Sequence, residues 1–443
     1  MKNYLKGRGY TLPNEENYHN VKNWLEWYRG KVKSFHSYSQ YNGKKHVMRE
    51  RFSLSLAKKV CEDWANLLIN EKMEIRVSDE KIQTEINKIL TDNKFRERAN
   101  ALTEIAFALG TGAFVEYIEN GKVCIDYIRA DMIYPLSWEN GDVKECAFAG
   151  EKMIGGKKCI YLNMHLLEDG KYKIENHLFD ITNYVPREIE LPDDIEGVYY
   201  TNSSVPMFQI IKPNIVNNAD LDSPMGISVF ANSLDVLKGI DLVYDSYENE
   251  FRLGKKRIII PTGMAQFLDD ENGIRPVFDD NDTEFYALKE TDHFTDIKEI
   301  NMNLRSDEHE KALARNLSLL SSKCGLGSDR YSYEKSTLKT ATEVISEKSE
   351  LYQNLKKNEM IIEGAILGVV RAVMELLGCG DAEVSVSFDD SIIEDTDAIA
   401  KRAMEEYKLG IIDTAEYFMR VYKMTEAQAV DMARKIEKRC EKK

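Results

Sequence analysis

The sequence predicts an α+β fold in which a mixed front half is followed by a helical back, and three observations carry that prediction. All nine prolines lie at or before Pro276, so the final 167 residues lack the residue that most strongly breaks helices. Residues 113–211 carry apolar runs separated by tight-turn signals, as antiparallel strands do. The stretch from Leu338 to Leu377 keeps helical spacing, with Gly364 and Gly368 as its only glycines.

The elements follow in order. From 47 to 110, SLSLAKKVCEDWANLLI, KIQTEINKIL and ANALTEIAFAL repeat apolar residues every three or four positions and predict helices. AFVEYI and VCIDYI then flank ENGK, where Asn120 and Gly121 supply the positive φ of a tight hairpin, and KKCIYLNMHLL and KYKIENHLF flank EDG in the same way. From Ser223 the pattern predicts one long helix, or two joined near Gly239, with Pro224 at its start and Val229, Leu234, Leu237, Ile240 and Val243 along a stripe. RIIIP and an acidic stretch interrupt it. Helix resumes at SDEHEKALARNLSLLSSK and stops at GLGSDRYSYE, residues 325–334. The long helix after Leu338 has a polar first half with a narrow seam at Val344, Leu351 and Leu355, an apolar second half that must be buried, and a kink expected near Gly364 or Gly368. EVSVSF at 383–388 reads as a strand, and three short helices close the chain, the last with Thr425 and Gln428 as a capping box.

Composition excludes several classes. A chain of 443 residues with 43% hydrophobic content suits two or three packed units. The N-terminal twenty residues lack the apolar core of a signal peptide, and no run of about 18 apolar residues occurs, so neither export nor a membrane span is expected. Seven cysteines stand singly without a CxxC pair, which predicts reduced thiols, with no disulfide and no structural zinc. The net charge of -15 speaks against tight static binding of nucleic acid but does not exclude contact with DNA, since a conduit that lets a polyanion slide benefits from repulsive or neutral walls, and composition alone leaves both options open.

Catalytic motifs are missing. No GxxxxGK(S/T) is present, and GTG at 110–112 reads as a helix end before a strand. The seven histidines show neither HxxxH nor HExxH spacing. Glu116 and Asp126 lie on one hairpin and can face each other, a pattern that solvated strand faces give constantly. The expectation is therefore no enzyme, no catalytic residue, no metal and no cofactor.

The order of parts and several stretches carry a family likeness: GTGAFVEYI at 110–118, IRADMIYPL at 128–136, SPMGISVFANSLDVLKGIDLVYDSYENEF at 223–251, GLGSDRYSYEKSTLKTATEV at 325–344, and the tail LGIIDTAEYFMRVYKMTEAQAVDMARKI. Together they resemble the portal, or head-to-tail connector, proteins of siphophages, particularly those of Gram-positive hosts. The resemblance implies a portal-type fold: a mixed α/β wing over 1–222, a stem helix over 223–256, a clip over 257–304, a second stem helix over 305–324, a tunnel loop over 325–335, a long bridging helix over 336–380, a return strand to the wing over 381–394 and a helical crown over 395–443. Independently, two helices with narrow apolar stripes bury too little alone and gain by packing against copies of themselves.

The resemblance also assigns candidate residues. Gly325, Gly327, Arg330, Tyr331, Tyr333 and Lys335 belong to the loop that would face DNA, where two aromatics, an Arg and a Lys beside glycines suit transient, sequence-blind contact; the alternative is a surface turn whose tyrosines pack back on a neighbouring helix. Arg252, Lys255, Lys256 and Arg257 close the first stem helix, either complementing its dipole or forming a basic belt near passing phosphates. Between Asp269 and Glu299 eleven acidic residues face three basic ones, a balance of -8, and Asp269, Asp270, Glu271, Asp279, Asp280 and Asp282 become the clip's docking surface. The implied partners are further copies in a dodecameric ring, the terminase large subunit, a head-completion or adaptor protein, scaffolding and major capsid proteins, and double-stranded DNA passing through the channel, with no membrane. The implied location is the virion's portal vertex, reached by assembly in the host cytoplasm. Two rivals stand beside this reading, a phage nucleic-acid-processing enzyme and another capsid adaptor or minor capsid protein.

Overall fold

The computed structural model of the chain describes residues 1–41, 43–154, 156–181, 186–192, 195–261, 267–270, 273–276, 285–288, 296–331, 341–380, 382–388, 396–422, 424, 429–430 and 432–435. The chain opens with helices α1 (Lys2–Gly7), α2 (Glu15–Tyr28) and α3 (Lys33–His36), then a hairpin of β1 (Ser37–Tyr41) and β2 (His46–Glu50). Asn14 caps α2 by accepting from the Glu16 amide, and Glu15 and Glu16 occupy its first turn, where the helix dipole favours them. Val21, Trp24 and Trp27 form its buried stripe.

Helices α4 (Leu56–Leu68), α5 (Glu80–Asp92) and α6 (Phe95–Leu109) follow, with β3 (Glu74–Val77) between the first two. The helical reading of 47–110 is thus corrected at two places, since 46–50 and 74–77 are strands. Four-residue runs such as EIRV carry too few repeats to display a period of two. Gly110, at φ +84°, ends α6, and β4 begins at Gly112, so GTG is a helix end before a strand.

Strands β4 (Gly112–Glu119), β5 (Lys122–Arg129), β6 (Ile133–Glu139), β7 (Asp142–Ile154), β8 (Lys157–Glu168), β9 (Lys171–Asp180), β10 (Arg187–Ile189), β11 (Val198–Tyr200) and β12 (Phe208–Ile211) make two antiparallel sheets. One runs β12-β4-β5; the other runs β10-β9-β8-β7-β6, with β11 also paired to β9. Positive φ at Asn120 and Gly121, and at Asp169 and Gly170, closes the two hairpins expected at ENGK and EDG. Asn140 and Gly141 close a third in the same way. A shared core of Ala113, Val115, Ile133, Cys146, Phe148, Tyr172 and Phe208 lies between the sheets.

Pro224 does not start a helix. Residues 223–230 run irregularly along the end of α6, and α7 (Leu234–Leu253) starts after a short 3-10 turn and continues unbroken through Gly239. The cause is a backbone-to-backbone approach: a Cβ on Gly226 would lie 2.3 Å from the Gly110 carbonyl oxygen. The amides there are also spent, Gly226 N–H donating to Thr111 Oγ1 at 3.1 Å and Val229 N–H to the Phe107 carbonyl at 2.9 Å.

Beyond α7 lie β13 (Arg257–Pro261), β14 (Phe267–Asp270), β15 (Gly273–Pro276), β16 (Phe285–Leu288) and β17 (Lys298–Ile300). β13 pairs in parallel with β16 and antiparallel with β17, and β14 and β15 form a hairpin. These strands were not legible in the acidic segment, where carboxylates obscure the alternation.

Helix α8 (Ser306–Lys323) packs along α7, burying Leu317 and Leu320 against Leu237 and Ile240 in the common core. Helix α9 (Ala341–Leu377) then spans 37 residues, about 55 Å at the α-helical rise. Its second half is buried at Ile362, Ile366, Val369, Val370 and Val373, as its apolar character requires. Gly368 leaves room for the Gln209 side chain of β12, whose Cδ would lie 2.4 Å from a Cβ there. Helical geometry is continuous through Gly364 and Gly368. Strand β18 (Val384–Ser387) pairs antiparallel with β3, and α10 (Thr396–Lys408) and α11 (Thr414–Tyr422) follow, separated by Gly410 at φ +70°. Thr425 and Gln428 lie outside the described residues.

Candidate functional site

The GLGSDRY segment leaves α8 through a glycine-dependent cap. Gly325 (φ +77°) and Gly327 (φ +78°) adopt the left-handed region, while the Gly325 and Leu326 amides return to the Ser322 and Ser321 carbonyls at 2.9 Å. Leu326 is buried. Two long side chains hold this turn from neighbouring helices: the Trp64 indole of α4 donates to the Cys324 carbonyl at 3.0 Å, and Asn354 Nδ2 of α9 donates to the Gly325 carbonyl at 3.2 Å. A Cβ on Gly325 would stand 3.1 Å from Asn354 Nδ2 and 3.4 Å from the Trp64 ring. Gly325→Ala is therefore expected to lower stability by about 1–2 kcal/mol through the positive φ and this crowding, read as a fall in the thermal midpoint of the free subunit.

The segment's far side is gathered by one buried carboxylate. Asp63 on α4, only 4% exposed, accepts from Arg330 Nη2 at 3.1 Å, from the Tyr331 hydroxyl at 3.0 Å and from Lys59 Nζ at 2.9 Å. Burial alone would raise the Asp63 pKa, but the hydrogen bonds from Arg330 and Lys59 outweigh it and hold the carboxyl below its ordinary value. Burial, reinforced by the Asp63 charge, pushes the Tyr331 hydroxyl well up. Arg330 and Tyr331 thus turn back onto α4 at the root of the loop, the arrangement the surface-turn alternative describes. Tyr333 and Lys335 lie outside the described residues. Sequence reasoning did not single out Asp63, although a signal existed: it is an acid set within the apolar stripe Val60, Trp64, Leu67 of an amphipathic helix.

The basic residues at the end of α7 are partly engaged. Arg252 is exposed and donates to Asn249 Oδ1, Lys255 is exposed, Lys256 pairs with Glu299 at 2.8 Å, and Arg257 opens β13 opposite Ile300. Beside them Glu250 receives both Arg305 Nε at 3.0 Å and Nη2 at 2.8 Å, a fork that ties the end of α7 to the start of α8. Those hydrogen bonds hold the Glu250 carboxyl down at about 2. Near its middle α7 is anchored by two buried acids. Asp241 accepts from His36 Nε2, Ser53 Oγ and the Leu54 amide, each at 2.9 Å, and Asp245 accepts from the Phe52 amide at 3.1 Å.

In the acidic segment, Asp269 and Asp270 belong to the backbone of β14, whereas Glu271, Asp279, Asp280 and Asp282 lie outside the described residues. Glu116 and Asp126 do not face each other. Glu116 is opposite Ile125, and Asp126 opposite Val115 next to the Tyr117 hydroxyl, so the two carboxyls occupy opposite faces of the sheet. Among the described residues no group of three or more His, Cys, Asp or Glu is placed to hold a metal ion, and no helix is long and apolar enough to cross a membrane.

Paired helices joined by a small β unit, a glycine-capped loop rooted on a third helix and a long helix buried over its second half make up the back of the chain. The family described as "Phage portal protein, SPP1 Gp6-like" matches residues 12–442, and the chain belongs to it. Its members are structural, non-enzymatic connectors, and membership implies a homo-oligomeric ring at the capsid vertex. Among solved structures the chain is similar to one titled "Neck of empty GTA particle computed with C6 symmetry", at 11% identity and a TM-score of 0.40, covering 82% of this chain and 88% of that one. No curated protein matches it.

Proposed function

We propose that the chain is the subunit of a dodecameric portal through which double-stranded DNA is packaged and ejected, in a siphophage of a Gram-positive host. The single observation that supports this best is the family match running from residue 12 to residue 442, which leaves no large part of the chain for another activity. In this reading residues 1–222 are the wing, 223–256 and 305–324 the stem, 257–304 the clip, 325–335 the tunnel loop, 336–380 the bridging helix, 381–394 the return strand and 395–443 the crown.

Within the loop the roles divide. Arg330 and Tyr331, engaged by Asp63, fix the root, and Tyr333 and Lys335 are offered to passing phosphates and bases. Arg252 and Lys255 add a basic belt at the stem. The acidic clip, with Asp269, Asp270, Glu271, Asp279, Asp280 and Asp282, docks the terminase large subunit and later the head-completion protein through basic residues on those partners. Scaffolding and major capsid proteins meet the ring during assembly in the host cytoplasm, before it resides in the virion.

The test is the mass of the purified protein by light scattering, followed by negative-stain images of the largest species. Rings of about a dozen subunits with a central hole are expected. Strictly monomeric or dimeric protein, with and without scaffolding protein, would overturn the proposal and restore the rival adaptor or minor capsid reading.

A further inference from the structure

Two strand edges on this chain are unfinished, and their chemistry is complementary. The hairpin β1–β2 is a two-stranded sheet that no other described strand extends, and an isolated two-stranded hairpin is marginal in water. Its register puts Tyr41 opposite His46 and Ser39 opposite Met48, so Tyr41 and Met48 share a face, where they are 59% and 70% exposed. Residues 37–51 carry Lys44, Lys45, Arg49 and Arg51 against Glu50 alone.

Strand β11 is the other edge. It pairs with β9, and no other described strand covers its outer side. Val198, Tyr199 and Tyr200 are 47%, 43% and 59% exposed, so both faces of this short strand present apolar surface. Natural edges are usually blunted by lysine, proline or a covering loop; VYY has neither residue. The segment leading into it, residues 187–200, holds Glu188, Glu190, Asp193, Asp194 and Glu196 against Arg187 alone.

We propose that the β1–β2 hairpin of one copy adds to the β11 edge of the next, continuing the larger sheet across the subunit boundary. The proposal rests on the homo-oligomeric ring implied by family membership. Donor and acceptor are different patches of one chain, so each copy gives one and receives one, the head-to-tail relation a closed ring requires. Backbone pairing and the exposed aromatic and methionine side chains supply the contact. The basic hairpin against the acidic approach to β11 sets orientation and disfavours hairpin-to-hairpin pairing.

Full-length protein carrying Met48→Cys and Tyr199→Cys together, oxidised in solution and run without reductant, should give a ladder of covalent multimers. Each single variant alone should give none, and an equimolar mixture of the two single variants should give dimers only. Glu196→Lys should slow the cross-link roughly tenfold, and adding Arg49→Glu should restore it. Rings seen by light scattering without cross-links would overturn this contact while leaving the ring intact. Cross-linked homodimers from either single variant, or cross-links formed only to a different capsid protein, would also overturn it. Protein that stays monomeric and uncross-linked at every concentration would overturn both the contact and the ring beneath it.

Discussion

Asp63→Ala is expected to loosen the root of the 325–331 segment, lowering subunit stability by about 2–4 kcal/mol and raising the rate of tryptic cleavage after Arg330 roughly tenfold or more. The carboxylate is buried and accepts from three side chains of two elements, so its loss removes the group that joins Arg330, Tyr331 and Lys59. The cost falls short of a fully buried ion pair because Arg330 and Lys59 are 36% and 49% exposed and can return to water. Tyr331 cannot do so as easily, and its hydroxyl is left in a half-buried site. Asp63→Asn keeps the volume and one acceptor, and should fall between the two. The pH dependence has a definite sign. With a folded pKa below the ordinary aspartate value, the Asp63 contribution is complete above about pH 4 and fades as the pH falls further. The difference between wild type and Asp63→Ala in urea denaturation should therefore shrink in acid.

Glu116→Gln has the opposite sign and the larger span. The Glu116 carboxyl is fully buried, neither oxygen has a hydrogen-bond partner among the described residues, and burial pushes its pKa up to about 8. The unfolded chain releases this proton near pH 4.5 and the folded chain holds it to about pH 8, so stability falls as the pH rises between those values and then levels. The loss across that window is about 5 kcal/mol. Glutamine stays neutral in both states, so the variant should match wild type at pH 4.5 and exceed it by several kcal/mol at pH 8. Parallel denaturation curves at the two pH values check this, and equal stabilities of wild type and variant at pH 8 would show that Glu116 is not held neutral.

Much of the architecture was legible in the sequence because it rests on local signals. Asn120–Gly121 and Asp169–Gly170 announce hairpins by the φ they tolerate, and the proline-free stretch after Pro276 announces helices. What escaped depends on contacts between distant residues. The helix expected at Pro224 is displaced ten residues because Gly226 meets the Gly110 backbone, a constraint no local window contains. The site divides in the same way. The loop at 325–331 was visible through its glycines, whereas its anchor, Asp63, lies 267 residues away from Arg330 on another helix. The direction in which Arg330 points is decided there and not by its neighbours in sequence.

The pairing of β3 with β18 sets a clock on biosynthesis. Glu74–Val77 leaves the ribosome early, and its partner Val384–Ser387 is made some three hundred residues later, a delay of roughly 15–60 s at ordinary elongation rates. Until then the apolar second half of α9 is also missing, and the surfaces it will cover on β4 and β12 stand open. A nascent subunit is thus unable to complete its interior before translation is nearly over, and any premature meeting with finished copies engages a chain whose edge at β3 is still unsatisfied.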